Sequence, residues 1–455
     1  MQIKHIALAA LATIAATQAQ AVTRITGASA SSIGYVEALS NTGVCANNDV
    51  SVFVRGTTSV TNALGNNFTV KCNSGNFAGT TENEVQIDVN GGSLNAILFS
   101  DVGTSEVLAG NGNFLPATTS GCTGVAGTGG LSFLNGTKLK VCASNAALTA
   151  GKSIGGFMDI EPQIFQAQGV IAGDYSASVV PATFSQAFAV GVSPALYAAL
   201  QADQGLTSGA TDVANQPTIG RAQINAIINS NDFNDAKNKG PKFLVPTTTQ
   251  TNLTYCRRPA TSGTQMGAEV YFLQAVLGTG PLSGFGSIHD PSYLTGSAPA
   301  GAATVTNGGT VVVDNATGNT LTVQLNSGTG DVKKCLNRQA VNSLTSAGTF
   351  AIGLLSAENN PVGTSDTYRI VKLNGASTTA GTSTDSQTAN AIKGTYDYVF
   401  ESVVFDPHGN AVLGLINSNV KTGAGTPGVF LNFNSATPES NYTRNGSSVN
   451  AYSSN

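Results

Sequence analysis

The chain has 455 residues, only 10% of them charged, with 53 glycines, no tryptophan and a net charge of −4. It contains no Lys/Arg run or basic stripe, so it lacks the electrostatic footprint of a nucleic-acid binder. The length calls for two or three domains, or one large fold with two lobes.

At the N-terminus, "MQIKHIALAALATIAATQAQAV" places Lys4 ahead of an apolar run from Ile6 to Ala16, and Ala19-Gln20-Ala21 fits a small-x-small cleavage site. This pattern predicts a signal peptide over residues 1–21, cleaved after Ala21, and a mature protein in the periplasm or outside the cell. The run is too short to span a bilayer, and no later stretch has the roughly 18 apolar residues that membrane insertion requires. No cysteine stands at the cleavage site to take a lipid anchor.

The elements alternate along the chain. "VTRITGAS" reads as a strand ending in a Gly turn, and "SSIGYVEAL" as a helix with Ile33, Val36 and Leu39 near one face. "NEVQIDV" is a strand, and "GGSLNAILF" opens a helix with Leu94, Ile97 and Leu98 at helical spacing. "TFSQAFAVGV" is a strand, and "TIGRAQINAIIN" an amphipathic helix carrying Ile224, Ile227 and Ile228 inward. "KFLVPTTT" and "TNLTYCRR" read as extended, and "SGTQMGAEVYFLQAVL" as a helix with Met266, Val270, Leu273 and Leu277 in register. Strands alternating with helices predict α/β layers.

Two stretches interrupt this rhythm. Residues 100–152, rich in Gly, Thr, Ser and Asn, read as a disulfide-held insertion; residues 296–330 carry two β runs around "DNATGN", a hairpin signal. Residues 372–392 and the polar tail read as loose.

The six cysteines are Cys45, Cys72, Cys122, Cys142, Cys256 and Cys335. In an exported chain an even number implies three disulfides, although six cysteines admit 15 pairings. Neighbour pairing, 45–72, 122–142 and 256–335, is the expectation, since the first two bridges would staple local loops; free buried thiols are the alternative. There is no C-x-x-C, and the three histidines include His5 in the signal, so a zinc site is not expected.

Three strand-to-helix loops could hold an anion. "TGASASS" (26–32) and "NGGSLNAI" (90–97) place small residues and hydroxyls at helix starts, where free N–H groups accumulate. Each is also compatible with an ordinary Ser N-cap. The third, "RRPATSGTQMGAEVYFL" (257–273), adds charge: Arg258 lies four residues before Ser262, and its planar fork matches a tetrahedral oxyanion. In open α/β sheets ligands bind beyond the carboxyl ends of strands, where such loops would converge. A fourth element, "GGFMDIEP" (155–162), sets Asp159 in an apolar run. An ionised Asp only accepts hydrogen bonds, so beside an anion it selects one that carries a proton, phosphate over sulfate. Glu161 is the competing acid, and a loop cap the competing role.

These residues resemble the PstS-like phosphate-binding proteins of ABC uptake systems, in the type II periplasmic solute-binding superfamily. "RRPATSGTQMGAEVYFL" is similar to the family's Arg, Ser-Gly-Thr and aromatic-bearing helix. "RITGASASS", "VNGGSLNAI" and "GGFMDIEP" resemble its phosphate loops in order. "QPTIGRAQINAIINSNDFND" and "FAIGLLSAEN" are similar to flanking segments. The matches span roughly residues 23–360. The resemblance implies ligands at Ser31, Ser32, Ser93, Asp159, Arg258, Ser262, Gly263 and Thr264, with the alignment at Ser93 open to a shift. The chain departs from the pattern at Ala260, where the family has an Asp bracing the Arg, and in its insertions and cysteines.

The implied fold is α/β with two lobes, two crossover strands and the ligand cleft between them. Lobe one would take residues 22–190 and lobe two 191–380, with residues 381–455 returning to lobe one. The crossovers would fall near Gly191 and at residues 375–395. The implied function is capture of phosphate or a related oxyanion, with no cofactor and no catalytic step, and with an ABC permease as partner. Two other classes compete. A phosphatase-like enzyme would need clustered metal ligands or a His base, and the mature chain offers only His289 and His408. A secreted structural or adhesive protein that kept the fold would suit the low charge and the Gly, Ser, Thr and Asn content.

Overall fold

In the computed structural model, residues 21–56, 64–102, 110–125, 138–167, 169–228, 240–273, 307–314, 318–344, 348–361, 365–378, 390–391, 394–420, 430–432, 442–443 and 453–454 are described. The predicted signal segment up to residue 20, residues 379–389 and 392 of the stretch 372–392 expected to be loose, and most of the tail lie outside them. Lys372 and Leu373 of that stretch, by contrast, pair parallel with Thr218 and Ile219.

The first lobe is built on a mixed sheet of β1 (Ala21–Thr26), β2 (Val50–Arg55), β3 (Asn67–Cys72), β4 (Glu82–Asp88), β5 (Thr123–Val125) and β6 (Leu139–Cys142). Its order is β1-β4-β3-β2-β6-β5. The β1–β4 pair is parallel, with Thr26 opposite Asp88, so both strands end at the same sheet edge. Helix α1 (Ser32–Leu39) follows β1 and buries Tyr35, Val36 and Leu39. Short α2 (Asn95–Leu98) follows β4. Strand β6, from the predicted insertion, runs parallel to β2 and is part of this sheet.

The second sheet contains β7 (Gly156–Met158), β8 (Val179–Val192), β9 (Asn252–Arg257), β10 (Thr310–Asp314), β11 (Thr320–Leu325), β12 (Phe350–Ser356) and β13 (Val399–Phe405). Its order is β10-β11-β9-β12-β8-β13-β7. Three of these strands, β11, β9 and β12, are mutually parallel. The two runs expected to form a hairpin do pair antiparallel as β10 and β11, and β11 is also bonded to β9 inside the sheet. Helices α3 (Pro194–Asp203), α4 (Arg221–Ile228), α5 (Gly263–Leu273) and α6 (Thr329–Leu336) connect these strands, and α7 (Ala411–Asn419) follows β13.

Strand β8 joins the lobes. Its first half pairs with β13 and its second half with β12. Ala182 and Phe184 belong to the core of the first lobe, whereas Ala187, Phe188, Val190 and Val192 belong to that of the second. Strand β13, antiparallel to β8, is similarly shared: Val404 faces the first core, and Val399, Phe400 and Val403 the second. Two antiparallel strands therefore link two α/β lobes, the architecture expected from the sequence, but the return strand is Val399–Phe405 and not residues 375–395. The alternation of side chains along a strand lets one segment serve both cores, as successive Phe157 and Met158 do in β7.

One expected element is absent. "KFLVPTTT" is not extended: Gly240–Phe243 forms a 3-10 turn. Pro241 starts it with its fixed φ, and its carbonyl accepts from the N–H groups of Leu244 and Val245 at 3.1 and 3.0 Å. That turn folds Leu244 and Val245 into the core of the second lobe. The three disulfides are the neighbour pairs 45–72, 122–142 and 256–335, and none of the six cysteines is free. Among the described residues no helix is long and apolar enough to cross a membrane.

Candidate functional site

The loops after β1, β4, β7, β9, β11 and β12 meet where the two lobes face each other. The first-lobe loop is pinned by backbone contacts, Thr26 N–H to Gly155 O at 3.1 Å and Ala28 N–H to Phe157 O at 2.8 Å. Such proximity excludes side chains: a Cβ on Gly156 would stand 1.7 Å from the Thr26 carbonyl oxygen. The second and fourth loops are also locked together. Leu94 N–H donates to Thr261 O at 3.0 Å, and Thr261 Oγ1 to Gly91 O at 2.6 Å.

The two arginines of the basic pair have separate tasks. Successive residues at a strand end point to opposite sides. Arg257 is buried against α5, where its guanidinium pairs with Glu269 at 3.1 Å. Arg258 points the other way and is 2% exposed. Its Nη1 donates to Ser29 Oγ at 3.5 Å and Thr329 Oγ1 at 3.3 Å. Its Nε and Nη2 are buried and have no hydrogen-bond partner. Burial pulls the Arg258 guanidinium down to about 10, although Asp159 and Asp331 oppose the shift.

Asp159, also 2% exposed, sits at the end of β7. Its Oδ2 accepts from Thr264 Oγ1 at 3.2 Å, and its backbone N–H donates to Ser93 Oγ at 3.1 Å. Its Oδ1 is buried without a partner. Burial pushes the carboxyl up to about 6, against the pull of Arg258, Ser93 and Thr264. Asp159, rather than Glu161, is thus the acid that faces the Ser-Gly-Thr loop. Gly263 makes this contact possible: a Cβ there would stand 2.4 Å from Ser93 Oγ and 2.8 Å from Asp159 Cβ.

Ser93, Asp159, Arg258, Gly263 and Thr264 therefore form one buried cluster. Ser262 is buried beside it, and its Oγ accepts from Gln265 N–H at 3.4 Å, an N-cap of α5. Ser31 is buried, and its Oγ makes no well-formed hydrogen bond, although the neighbouring Tyr35 phenol is influenced by it. Ser32 is not aimed at the cluster: its hydroxyl donates back to Ser29 O at 2.9 Å. In that loop Ser29 is the residue that reaches Arg258.

Sequence reasoning missed Ser29, Thr329, Gln186 and Glu358. A signal for Thr329 was present, because Ser327-Gly328-Thr329 repeats at the end of β11 the Ser-Gly-Thr step at the end of β9. Glu358 follows β12, and its carboxylate accepts from Ser356 Oγ at 2.5 Å, Asn359 Nδ2 at 2.8 Å and Gln186 Nε2 at 3.1 Å. Burial raises this carboxyl to about 7, helped by the charge of Asp159. Ser29, Ser32, Asn66, Thr329 and Glu358 line a cleft open to solvent beside the cluster.

His408 is exposed and paired with Asp101 at 2.9 Å, and His289 lies outside the described residues. Among the described residues no group of His, Cys, Asp and Glu could hold a metal ion.

No family model matches the chain, and neither does any curated protein sequence. Among solved structures the chain is similar to an ABC-type phosphate transport receptor from Vibrio cholerae, with 11% identity and a TM-score of 0.27 over 52% of this chain and 66% of that one. It is likewise similar to PstS from Borrelia burgdorferi, with 10% identity and a TM-score of 0.27 over 63% of this chain and 83% of that one. The Vibrio match thus spans just under two thirds of that receptor's length.

Proposed function

We propose that the chain is an exported solute-binding protein that captures phosphate, or a similar tetrahedral oxyanion carrying a proton, between its lobes. One observation carries this reading. Buried Arg258 keeps two guanidinium nitrogens without partners, beside buried Asp159 with one carboxylate oxygen without a partner. Buried polar groups are normally satisfied, and exceptions require an explanation. A protonated oxyanion supplies both complements at once: oxygens that accept from Arg258, and an O–H that donates to Asp159. Ser31, Ser93, Thr264 and the N-terminus of α5 complete the shell. Excluding water strengthens each of these contacts, because the local dielectric falls. The reading needs no cofactor and no reaction step, and an ABC permease is the partner it implies. Three disulfides suit the oxidising periplasm or exterior.

A second reading is favoured by the cross-lobe contacts of Arg258 itself. Its hydrogen bonds to Ser29 and Thr329 would also suit a secreted structural protein that uses the loops only to hold its lobes together.

The Arg258→Ala variant separates the two. The binding reading expects phosphate affinity to be lost with the circular-dichroism spectrum unchanged. Equal affinity in the variant would sink this placement of the site. Protein without phosphate affinity before mutation, and with looser lobes after it, would favour the structural reading.

A further inference from the structure

We infer that Thr329, paired with Ser29, is the gate of the anion site and becomes a ligand of the anion once the pair opens; this rests on the binding reading above. Strands β9 and β11 are parallel neighbours. Each runs at its carboxyl end into Ser-Gly-Thr and then a helix, giving Ser262-Gly263-Thr264 at α5 and Ser327-Gly328-Thr329 at α6. Two equivalent helix starts on adjacent strands stand side by side at the same sheet edge. The first holds Asp159 through Thr264. The second presents Thr329 to Arg258, 3.3 Å from its Nη1.

No side chain caps α6, because the residue at its N-cap is Gly328. The approach is close there: a Cβ on Gly328 would meet Asn66 Oδ1 of the first lobe at 3.1 Å. The start of α6 therefore directs N–H groups and one hydroxyl toward the interlobe space. Arg258, whose buried Nε and Nη2 have no partner, is bonded to Thr329 at this helix start through its Nη1. Asp331, in the first turn of α6, does not spoil this wall, since its carboxylate is engaged by Ser327 Oγ at 2.9 Å, Asn307 Nδ2 at 3.0 Å and Lys334 Nζ at 3.2 Å.

Ser29 and Thr329 are also partly exposed, and both line the solvent cleft. They bond each other, Oγ to Oγ1, at 3.0 Å, across 300 residues of chain and from one lobe to the other. The pair thus stands between solvent and the buried nitrogens of Arg258. An entering oxyanion has to part it, and afterwards each hydroxyl is free to donate to an anion oxygen. The two hydroxyls hence exchange a bond to each other for bonds to the ligand, which lowers the cost of opening.

Two experiments on the full mature chain test this with inorganic phosphate, after stripping bound anion. In the first, Thr329→Val removes the hydroxyl at constant shape. Losing a hydrogen bond to a charged ligand is expected to weaken binding about tenfold or more, with Thr329→Ser restoring it. Wild-type affinity in Thr329→Val would overturn the inference. In the second, Ser29→Cys combined with Thr329→Cys allows the pair to be locked by oxidation. Empty protein, once oxidised, is expected to take up phosphate far more slowly than the reduced form, whereas bound phosphate, which holds the pair apart, is expected to protect the two thiols from oxidation. Uptake at the same rate in both redox forms would also overturn it. Wild-type protein that binds no phosphate removes the binding reading and the gate together, whereas normal wild-type binding with indifferent variants removes the gate alone.

Discussion

Replacing Arg258 by Met together with Asp159 by Asn should make the anion-free protein more stable while abolishing phosphate binding. Arg258 is 2% exposed and held at about 10, below its ordinary value by burial. At about 1.4 kcal/mol for each tenfold change, keeping it charged costs about 3 kcal/mol. Asp159 is raised from 3.8 to about 6, again by burial, so its ionised form at pH 7.5 costs a similar ~3 kcal/mol. Both shifts already include the attraction between the two groups, so that attraction does not offset desolvation. Apolar or neutral replacements of buried charges are often stabilising by about 1–4 kcal/mol. The single variant Arg258→Met is not equivalent, since it leaves Asp159 buried without its countercharge. The assay is urea denaturation of stripped protein at pH 7.5, alongside calorimetric titration with phosphate. A gain of about 2–4 kcal/mol with no binding supports a site whose cost is carried for function. A double variant less stable than wild type would show that the pair holds the fold, and the reasoning from unpartnered groups would be wrong.

Two further outcomes follow from the same contacts. Glu269→Ala breaks the buried ion pair with Arg257 and is expected to cost about 3–5 kcal/mol in urea denaturation while leaving phosphate affinity of the folded fraction unchanged. A loss of affinity without loss of stability would reverse the roles given to the two arginines. Stability should also depend on pH with a definite sign. Asp88, Asp159 and Glu358 have carboxyls raised to about 6, 6 and 7 by burial. A raised acid destabilises the fold fully above its folded value and is relieved as pH falls toward its unfolded value. The stripped protein should therefore gain about 1–1.5 kcal/mol each from Asp88 and Asp159, and about 2–3 kcal/mol from Glu358, between pH 8 and pH 5. Asp49, Asp174 and Asp212 are lowered, so their opposite effect falls below that window. A urea midpoint that falls between pH 8 and pH 5 would contradict these assignments.

Much of the fold was legible because periodicity is local. The helices at Ser32–Leu39, Arg221–Ile228 and Gly263–Leu273 and the strands at β1, β4, β8 and β9 stand where apolar spacing placed them. "KFLVPTTT" was misread because its apolar pair is buried by a proline-started turn, which a short run cannot distinguish from a strand. The Arg258 loop was legible because charge, glycine and helix start coincide in one stretch. The roles within the first loop were not: Ser29, Ser31 and Ser32 look alike in sequence, and only the direction of the 3-10 turn turns Ser29 toward Arg258 and Ser32 back on itself. Thr329 and Glu358 escaped because they reach the cluster through strand neighbours distant in the chain, β11 and β12 beside β9.

The most direct test of the account is calorimetric titration of stripped, mature protein with phosphate and, separately, with sulfate, in wild type and in Asp159→Asn. The account predicts that wild type binds phosphate and rejects sulfate, and that Asp159→Asn admits sulfate because an amide can donate where a carboxylate only accepts. A folded, stripped wild type that binds neither anion would contradict it, and the lobes would then have been kept for a structural purpose.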